Sequence, residues 1–336
     1  MANYPQLDDC SGVWTLKEVN DAVLGGYWRV GGSRGIFAGG NTGSVVDTID
    51  YITIASAGDA VDFGNLGTVR QASAGCSSFI RMIALGGSEQ APSPGAQVNK
   101  MEYVTFSTTG NAADFGDISS ARSYLSGASN STRGMCFGGA EPSQVNVIDY
   151  FAMASTGNTT DFGNLSAVKQ EPSSFASPTR AVVGGGTSPG YINVIEYVEI
   201  ATTGNAIDFG NLTVTSGAHS SGNNASSTRG VFAGGYVEPS GNTSKIEYVT
   251  ISSTGNSIDY GDLTSARGYS GAASNSVRGL SGGGANPSKL NIIDYVIYAN
   301  GGTAVDFGDL TNARQSIAGS SNAHGGLNDG YQGTRP

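Results

Sequence analysis

The chain has 336 residues, a formal net charge of −10 at pH 7, only 13% charged residues and 52 glycines. The acidic balance argues against nucleic-acid binding, because that requires clustered Lys and Arg that displace counterions from the phosphate backbone. The glycine content and the low charge are typical of tight turns and packed sheets, and they disfavour a helical or a disordered chain.

The three cysteines, Cys10, Cys76 and Cys136, form no CxxC pair, so the sequence predicts neither a disulfide framework nor a zinc site. No apolar run approaches the roughly 18 to 20 residues that span a bilayer. The first residues lack the basic and apolar regions of a secretory signal. We therefore expect no metal, no cofactor and no membrane insertion, and we expect a protein that is made in a cytosol and stays soluble or is assembled into something there.

Residues 1–33 lie outside the repeat that fills most of the chain. Thr15-Leu-Lys-Glu18 has the capping-box pattern and predicts a short helix over about 16–24. The docking candidates of this segment are Trp14, Leu16, Tyr27 and Trp28. One hypothesis is a plug that packs on the rest of the protein. The other is an anchor that docks on another subunit, since large aromatic side chains suit burial at interfaces.

From residue 34 a repeat occurs six times, with spacings of 47 to 52 residues. Each copy opens with an arginine followed by a glycine pair five and six residues later: Arg34, Arg81, Arg133, Arg180, Arg229 and Arg278. An acid-tyrosine pair comes next, with its acid at Asp50, Glu102, Asp149, Glu196, Glu247 and Asp294. Twelve residues later an Asp-aromatic-Gly unit begins, at Asp62, Asp114, Asp161, Asp208, Asp259 and Asp306. A period near 50 with strand-like segments predicts a β-propeller.

We predict an all-β, six-bladed propeller of four-stranded blades over residues 34–321. Small-residue stretches such as Tyr269-Ser-Gly-Ala-Ala-Ser-Asn275 indicate the inner strands, and Asp-aromatic-Gly indicates the outer ones. No such stretch precedes Arg34, but an extra one, Arg314-Gln-Ser-Ile-Ala-Gly-Ser-Ser321, follows the sixth copy. The C-terminal strand should therefore complete blade 1 and close the ring, which removes open sheet edges. Residues 322–336 are expected to form a flexible tail.

Four features of each copy together resemble the kelch class of propeller repeats: the glycine pair, the aromatic of the next strand, the short outer strand and the arginine before the inner strand. The outer strands here carry Phe or Tyr where kelch outer strands usually carry Trp. Runs such as Asn193-Val-Ile-Glu-Tyr-Val-Glu-Ile200, followed by Thr202-Thr-Gly-Asn-Ala-Ile-Asp-Phe-Gly-Asn-Leu212, are similar to repeats of virion proteins of tailed phages, especially phages of marine bacteria. The segment Gly12-Val-Trp-Thr-Leu-Lys-Glu18 is similar to their N-termini. This resemblance implies a structural protein of a tail or appendage and implies no particular ligand.

Carboxylates that recur in all six copies are predicted to be structural, because a catalytic residue is normally unique within a ring. We expect each Asp-aromatic-Gly aspartate to accept turn amides or to pair with a strand arginine. A second basic series consists of Arg70, Arg122, Lys169, Arg267 and Arg314, with Ser216 in the fourth position. We expect these bases to form inter-blade salt bridges. The alternative is an incomplete basic ring at a channel mouth. His219 and His324 are expected on the surface or in turns.

The loops between the glycine pair and the acid-tyrosine strand differ from copy to copy. Equivalent loops should emerge on one side of the ring, where variable loops on a rigid scaffold usually carry recognition. The binding candidates in these loops are Glu89, Glu141, Tyr191, Tyr236 and Glu238. The tyrosines are suited to stacking on a sugar or packing on a protein, and solvated turns without a partner are the alternative.

Together these patterns predict a non-enzymatic phage virion protein, a tail- or fibre-associated propeller that presents loops to a host-surface glycan or protein. Other virion subunits are its expected partners, and many copies are expected on one particle. Two alternatives stay open. One is a capsid or tail decoration protein that only stabilises the particle, and the other is an enzyme that acts on glycans.

Overall fold

Six antiparallel β-sheets form a closed ring in the computed structural model, which describes residues 33–89 and 96–327. We number these sheets as blades 1 to 6 in the order of their strand arginines, so that Arg34 begins a strand of blade 1 and Arg278 begins one of blade 6. The prediction of an all-β, six-bladed propeller is confirmed.

The strands are short, with four to six residues in every blade strand. In chain order they are β1 (Arg34–Ala38), β2 (Thr48–Thr53), β3 (Val61–Asn65), β4 (Ala74–Ser77), β5 (Arg81–Leu85), β6 (Lys100–Thr105), β7 (Ala113–Asp117), β8 (Ser126–Ser129), β9 (Arg133–Phe137), β10 (Ala140–Glu141), β11 (Ser143–Gln144), β12 (Val147–Ala152), β13 (Thr160–Asn164), β14 (Ser173–Ala176), β15 (Arg180–Gly184), β16 (Val194–Glu199), β17 (Ile207–Asn211), β18 (Arg229–Ala233), β19 (Tyr236–Val237), β20 (Gly241–Asn242), β21 (Lys245–Thr250), β22 (Ile258–Asp262), β23 (Gly271–Ser274), β24 (Arg278–Gly282), β25 (Ile292–Ile297), β26 (Val305–Asp309) and β27 (Ala318–Ser321). One 3₁₀ helix, η1 (Gly325–Leu327), follows them.

The C-terminal strand closes the ring. In blades 2, 3, 4 and 6 the inner strands are β4, β8, β14 and β23, each made of small buried residues. In blade 1 the inner position belongs to β27, which pairs antiparallel with β1 so that Gly35 lies opposite Ser321 and Ala38 opposite Ala318. The predicted completion of blade 1 by the end of the chain is confirmed.

Blade 5 departs from this pattern because its inner segment is irregular beside β18, β21 and β22. Eleven residues lead from Arg267 to the strand arginine Arg278, whereas thirteen lead from Ser216 to Arg229. The two extra residues break the ladder, and only isolated bridges remain. The inserted Asn223 is fully buried and reaches blade 3 across the axis.

The Asp-aromatic-Gly unit joins each outer strand to the next blade. Phe63 is buried and meets Tyr51 of the neighbouring strand edge to face, with ring centroids 5.8 Å apart. Gly64 has a φ of 145°, and a Cβ there would lie 2.4 Å from the carbonyl oxygen of Gly110 in blade 2. Only glycine permits this approach of two backbones.

The expected pairing of these aspartates with the strand arginines is wrong. The six aspartates Asp62, Asp114, Asp161, Asp208, Asp259 and Asp306 are exposed, and none forms a salt bridge with another residue of the described ranges. Asp259 does accept a turn amide, that of Gly261, at 3.1 Å. The third strand separates each aspartate from the arginine of its blade, because the order in every sheet places that strand between them.

Each strand arginine instead covers the ring of the acid-tyrosine pair in its own blade. The distances from the guanidinium carbon to the ring centroid are 4.6 to 5.0 Å for Arg34, Arg81, Arg133, Arg180, Arg229 and Arg278. Such cation–π contacts contribute about 0.5–1 kcal/mol at partly exposed sites. Arg133 also donates to the carbonyl of Ile200 in blade 4 at 2.7 Å, so the same side chain links two blades.

The acid of each acid-tyrosine pair is buried directly after a β-bulge, and in five blades it pairs with the base of the linker that enters the blade. The pairs are Arg70 with Glu102, Arg122 with Asp149 (2.7 Å), Lys169 with Glu196 (3.2 Å), Arg267 with Asp294 (2.9 Å) and Arg314 with Asp50 (3.1 Å). The side chains of all five bases are fully buried. The expected inter-blade salt bridges are present, and these bases form no ring at a channel mouth.

Each pair links two neighbouring blades. The main chain of the base is hydrogen-bonded to one blade, and its side chain reaches the acid in the next blade. The amide of Arg267 donates to the carbonyl of Thr243 at 3.1 Å, and its carbonyl accepts the amide of Gly235 at 2.8 Å, both in blade 5. Its guanidinium crosses to Asp294 in blade 6. Thr264 adds a hydroxyl bond of 2.8 Å to the same carboxylate, so the buried charge is well satisfied.

Residues 322–327 are part of the fold, so the expectation of a flexible tail from residue 322 is wrong for them. The helix η1 is buried against β8 and β14, where the end of the ring axis offers a place to bury it. Residues 328–336 lie outside the described ranges. So do the predicted helix over 16–24 and the predicted docking residues Trp14, Leu16, Tyr27 and Trp28.

Both histidines are buried, so the expectation of a surface position is wrong, whereas His324 does lie in the bend between β27 and η1. His324 Nε2 lies 3.2 Å from the carbonyl oxygen of Ser77, and its Nδ1 accepts the amide of Gly326 at 3.2 Å. These two partners suit the neutral ring, with its proton on Nε2. Burial lowers the pKa of His219 and of His324 to about 4.

Breaking one buried pair should cost far more than breaking a surface pair. We expect Arg267→Met to lower the free energy of unfolding by about 3–5 kcal/mol, because Asp294 stays buried without its cation. The double variant R267M/D294L should lose less than R267M alone. Lys100→Met, which removes the half-exposed pair with Glu89, should cost at most about 1 kcal/mol. Denaturant unfolding of the four proteins checks this, and equal losses for R267M and K100M would contradict it.

The two histidines should make the protein lose stability in mild acid. Their folded pKa values of about 4 lie below the ordinary value of 6.5, so the unfolded chain binds protons first as the pH falls. Stability should be complete above pH 6.5 and should decline toward pH 4, by up to about 3 kcal/mol for each histidine. Melting temperatures of the wild type and of H219Q/H324Q between pH 7 and 4 test this. Carboxylate titration is common to both proteins. If the melting temperatures of both fell equally with pH, the loss of stability would not come from the histidines.

Candidate functional site

The variable loops leave the ring on one face, which we call the loop face. Because the strands of each blade alternate in direction, every connection from the second to the third strand lies at the end of the axis that also holds the inter-blade linkers. The opposite end, the turn face, holds the short turns together with Ser33 and η1. The prediction that the loops emerge together is confirmed.

Six left-handed residues at the axis form the floor of the loop face, and we call them the axial ring. They are Ala72, Tyr124, Glu171, Ala218, Tyr269 and Ser316, with φ between 52° and 61°. The amide of each donates to the carbonyl of the member in the preceding blade at 2.7 to 3.0 Å, so six hydrogen bonds close on themselves. This closed set of bonds offsets the cost of a positive φ in residues other than glycine.

Two linkers are built differently just before the axial ring. The preceding residue is Gln71, Ser123, Gln170 and Gln315 in four linkers, but glycine at Gly217 and Gly268. A Cβ at Gly217 would lie 3.0 Å from the ring of Tyr191, and one at Gly268 would lie 2.9 Å from Oδ1 of Asn242. The two glycines thus make room for side chains from the loops of blades 4 and 5.

A cleft of about 500 Å³ opens on this side of the loop face. Its main wall is the pair Tyr191 and Tyr236, whose ring centroids are 5.2 Å apart at an interplanar angle of 31°. The main chain of Tyr236 exchanges two hydrogen bonds with Gly217, at 2.8 and 3.1 Å. These bonds hold the loop of blade 5 on the linker that Tyr191, from the loop of blade 4, also contacts. The remaining lining includes Glu238, Asn242, Tyr269, Pro287 and Gln315.

A partly buried carboxyl group lies next to the cleft, at the axis. Tyr269 donates to Oε1 of Glu171 at 3.2 Å. Burial raises the pKa of Glu171, and the hydrogen bond from Tyr269 opposes that effect. Burial, followed by the charge of Glu171, raises the pKa of Tyr191 to about 12. Tyr191 therefore keeps its hydroxyl proton at neutral pH, and Tyr269 is the donor to Glu171.

The structure brings together three of the five predicted loop residues, namely Tyr191, Tyr236 and Glu238. Glu89 lies in the loop of blade 2, where Lys100 (2.8 Å) and Thr68 (2.7 Å) donate to its carboxylate. The pKa of Glu89 is lowered, chiefly by the hydrogen bond from Lys100. Glu141 is exposed in the β10–β11 hairpin of blade 3. Neither lines the cleft.

Sequence reasoning missed Glu171, Tyr269, Asn242 and Gln315. Glu171 and Tyr269 sit in linkers that look like ordinary repeat sequence, and only ring closure brings them near the loops. One available signal was the replacement of Gln or Ser by Gly217 and Gly268, which marks where the linkers make room for loop side chains.

No model of a known protein family matches the chain, and comparison with curated proteins also finds no match. Within residues 33–89 and 96–327, no three His, Cys, Asp or Glu side chains are grouped so as to hold a metal ion. Within those ranges no helix is long and apolar enough to cross a membrane.

Proposed function

We propose that this chain is a non-enzymatic structural protein of a tailed-phage virion, a kelch-like propeller that presents its loop face to a host-surface glycan or protein. The convergence of Tyr191, Tyr236 and Glu238 in one open cleft carries the proposal. Tyrosine rings supply flat apolar area for the C–H face of a sugar or for a protein side chain, and polar tips at the rim supply hydrogen bonds. The sequence resemblance to phage repeat proteins supports the virion setting.

The arrangement of the two faces supports attachment at one end and recognition at the other. The described chain begins at Ser33 on the turn face, whereas the cleft lies on the loop face. A protein held to the particle through residues 1–33 would leave the cleft free. Many copies on one particle would then combine weak single sites into strong binding.

Removal of the anchor segment tests the virion role. We expect a chain lacking residues 1–32 to melt like the full chain but to be missing from purified particles, because Trp14 and Trp28 would no longer dock on the neighbouring subunit. Immunoblots of particles measure incorporation, with Y236A as the matched variant that should incorporate normally. Normal incorporation of the truncated chain would rule out this anchor.

A glycan array tests the recognition role. We expect the full chain, multimerised on a labelled scaffold, to bind a subset of glycans without releasing products. Y191A and Y236A should each weaken binding by about tenfold or more, since buried aromatic anchors dominate such sites. E141Q, which alters an exposed carboxylate of the same face outside the cleft, should bind normally. Binding that survives both tyrosine variants would contradict the site, and product release would favour the glycan-acting enzyme.

A further inference from the structure

We propose that the cleft recognises a positively charged organic ammonium group, carried on an amino sugar or as a quaternary ammonium. This inference rests on the proposed function, because it assigns the ligand chemistry of the same cleft. It is carried by two independent features of the described residues, the unpaired carboxylates and the uncovered tyrosines.

The first feature is negative charge without a paired cation. Glu238 lines the cleft and Glu171 lies at its axial side, while no Lys or Arg lines it. Neither carboxylate forms a salt bridge within residues 33–89 and 96–327, although the acids of the acid-tyrosine pairs and Glu89 all do. Glu171 is half-buried with the hydroxyl of Tyr269 as its hydrogen-bond partner, and Glu238 is exposed at the rim of the cleft. An incoming cation would supply the missing charge, and an anionic sugar would be repelled.

The second feature is aromatic surface without a cation. All six tyrosines of the acid-tyrosine pairs are covered by an arginine at 4.6 to 5.0 Å. Tyr124, Tyr191, Tyr236 and Tyr269 have no such cover from the residues described. Ring faces attract ammonium groups, and several tyrosines beside a carboxylate form the kind of cage that binds them.

The two features lie within reach of one ligand. Tyr269 belongs to the lining of the cleft and also donates to Glu171, so it connects the open part of the cleft to the axial carboxyl group. Tyr191 packs on Gly217 and meets Tyr236, and both rings belong to the same lining as Tyr269. An ammonium group at Tyr269 would therefore contact both a ring face and a carboxylate, and the rest of the ligand would lie along the tyrosine wall.

Matched sugars separate charge from shape. We expect titration calorimetry with the full chain at pH 7 to show millimolar or tighter binding of glucosamine, at least about tenfold stronger than that of N-acetylglucosamine or glucose. Choline is the second probe. Stronger binding of choline than of glucosamine would identify a quaternary ammonium as the source of the charge, and the reverse would identify an amino sugar. Added salt should weaken the binding of either cation and leave N-acetylglucosamine unaffected.

Variants of nearly unchanged shape assign the residues. Glu171→Gln and Glu238→Gln should each weaken glucosamine binding about five- to tenfold, while Glu141→Gln should leave it unchanged. Melting temperatures identify any variant that misfolds, and Tyr269→Phe then provides a second test, since it keeps the ring and removes the hydroxyl bond to Glu171.

Two results would overturn the proposal, and both are distinct from failure of the proposed function. Equal binding of glucosamine and N-acetylglucosamine would show a site for neutral sugars. Absence of glucosamine and choline binding in the millimolar range would show that the cleft holds no ammonium group. In either case the glycan array still decides whether the loop face binds glycans at all.

Discussion

The buried pair between a linker base and the acid of the next blade is the contact on which this ring depends. The main chain of the base is hydrogen-bonded to one blade, and its charged group is buried in the following one. A charge removed from water is tolerated only if its partner is correctly placed, so the pair accepts one relative position of the two blades. Five such pairs around the axis fix the geometry in which β27 meets β1.

The junction between blades 4 and 5 lacks this buried pair, and other side chains occupy its place. Ser216 replaces the base, and His219 Nε2 lies 3.0 Å from its hydroxyl oxygen. Glu247 takes Lys245 of its own strand as its partner, at 2.9 Å. The linker that has lost its inter-blade cation is also the one with the two-residue insertion and with Gly217. The departures from the repeat are concentrated at blades 4 and 5, on the side of the ring where the cleft opens.

Repeat residues and binding residues therefore follow different rules. An arginine over a tyrosine satisfies both groups and leaves nothing for a ligand, which is why a pattern found in all six blades indicates construction. Tyr191 and Tyr236 occur once each in loops of unequal length, and their environment is not repeated elsewhere. The cleft is formed from three neighbouring blades, so its residues come from positions that are distant in sequence.

The sequence by itself determined the number of blades, the order of their strands, closure by the C-terminal strand and the face from which the loops emerge. These follow from periodicity, because each repeat must bury its faces against equivalent neighbours. Only the tertiary structure decided which acid meets which base, since the aspartates of the outer strands and the acids of the third strands are equally regular in sequence. It also placed Glu171 and Tyr269 beside Tyr191, because contacts across a ring axis depend on closure and leave no local pattern.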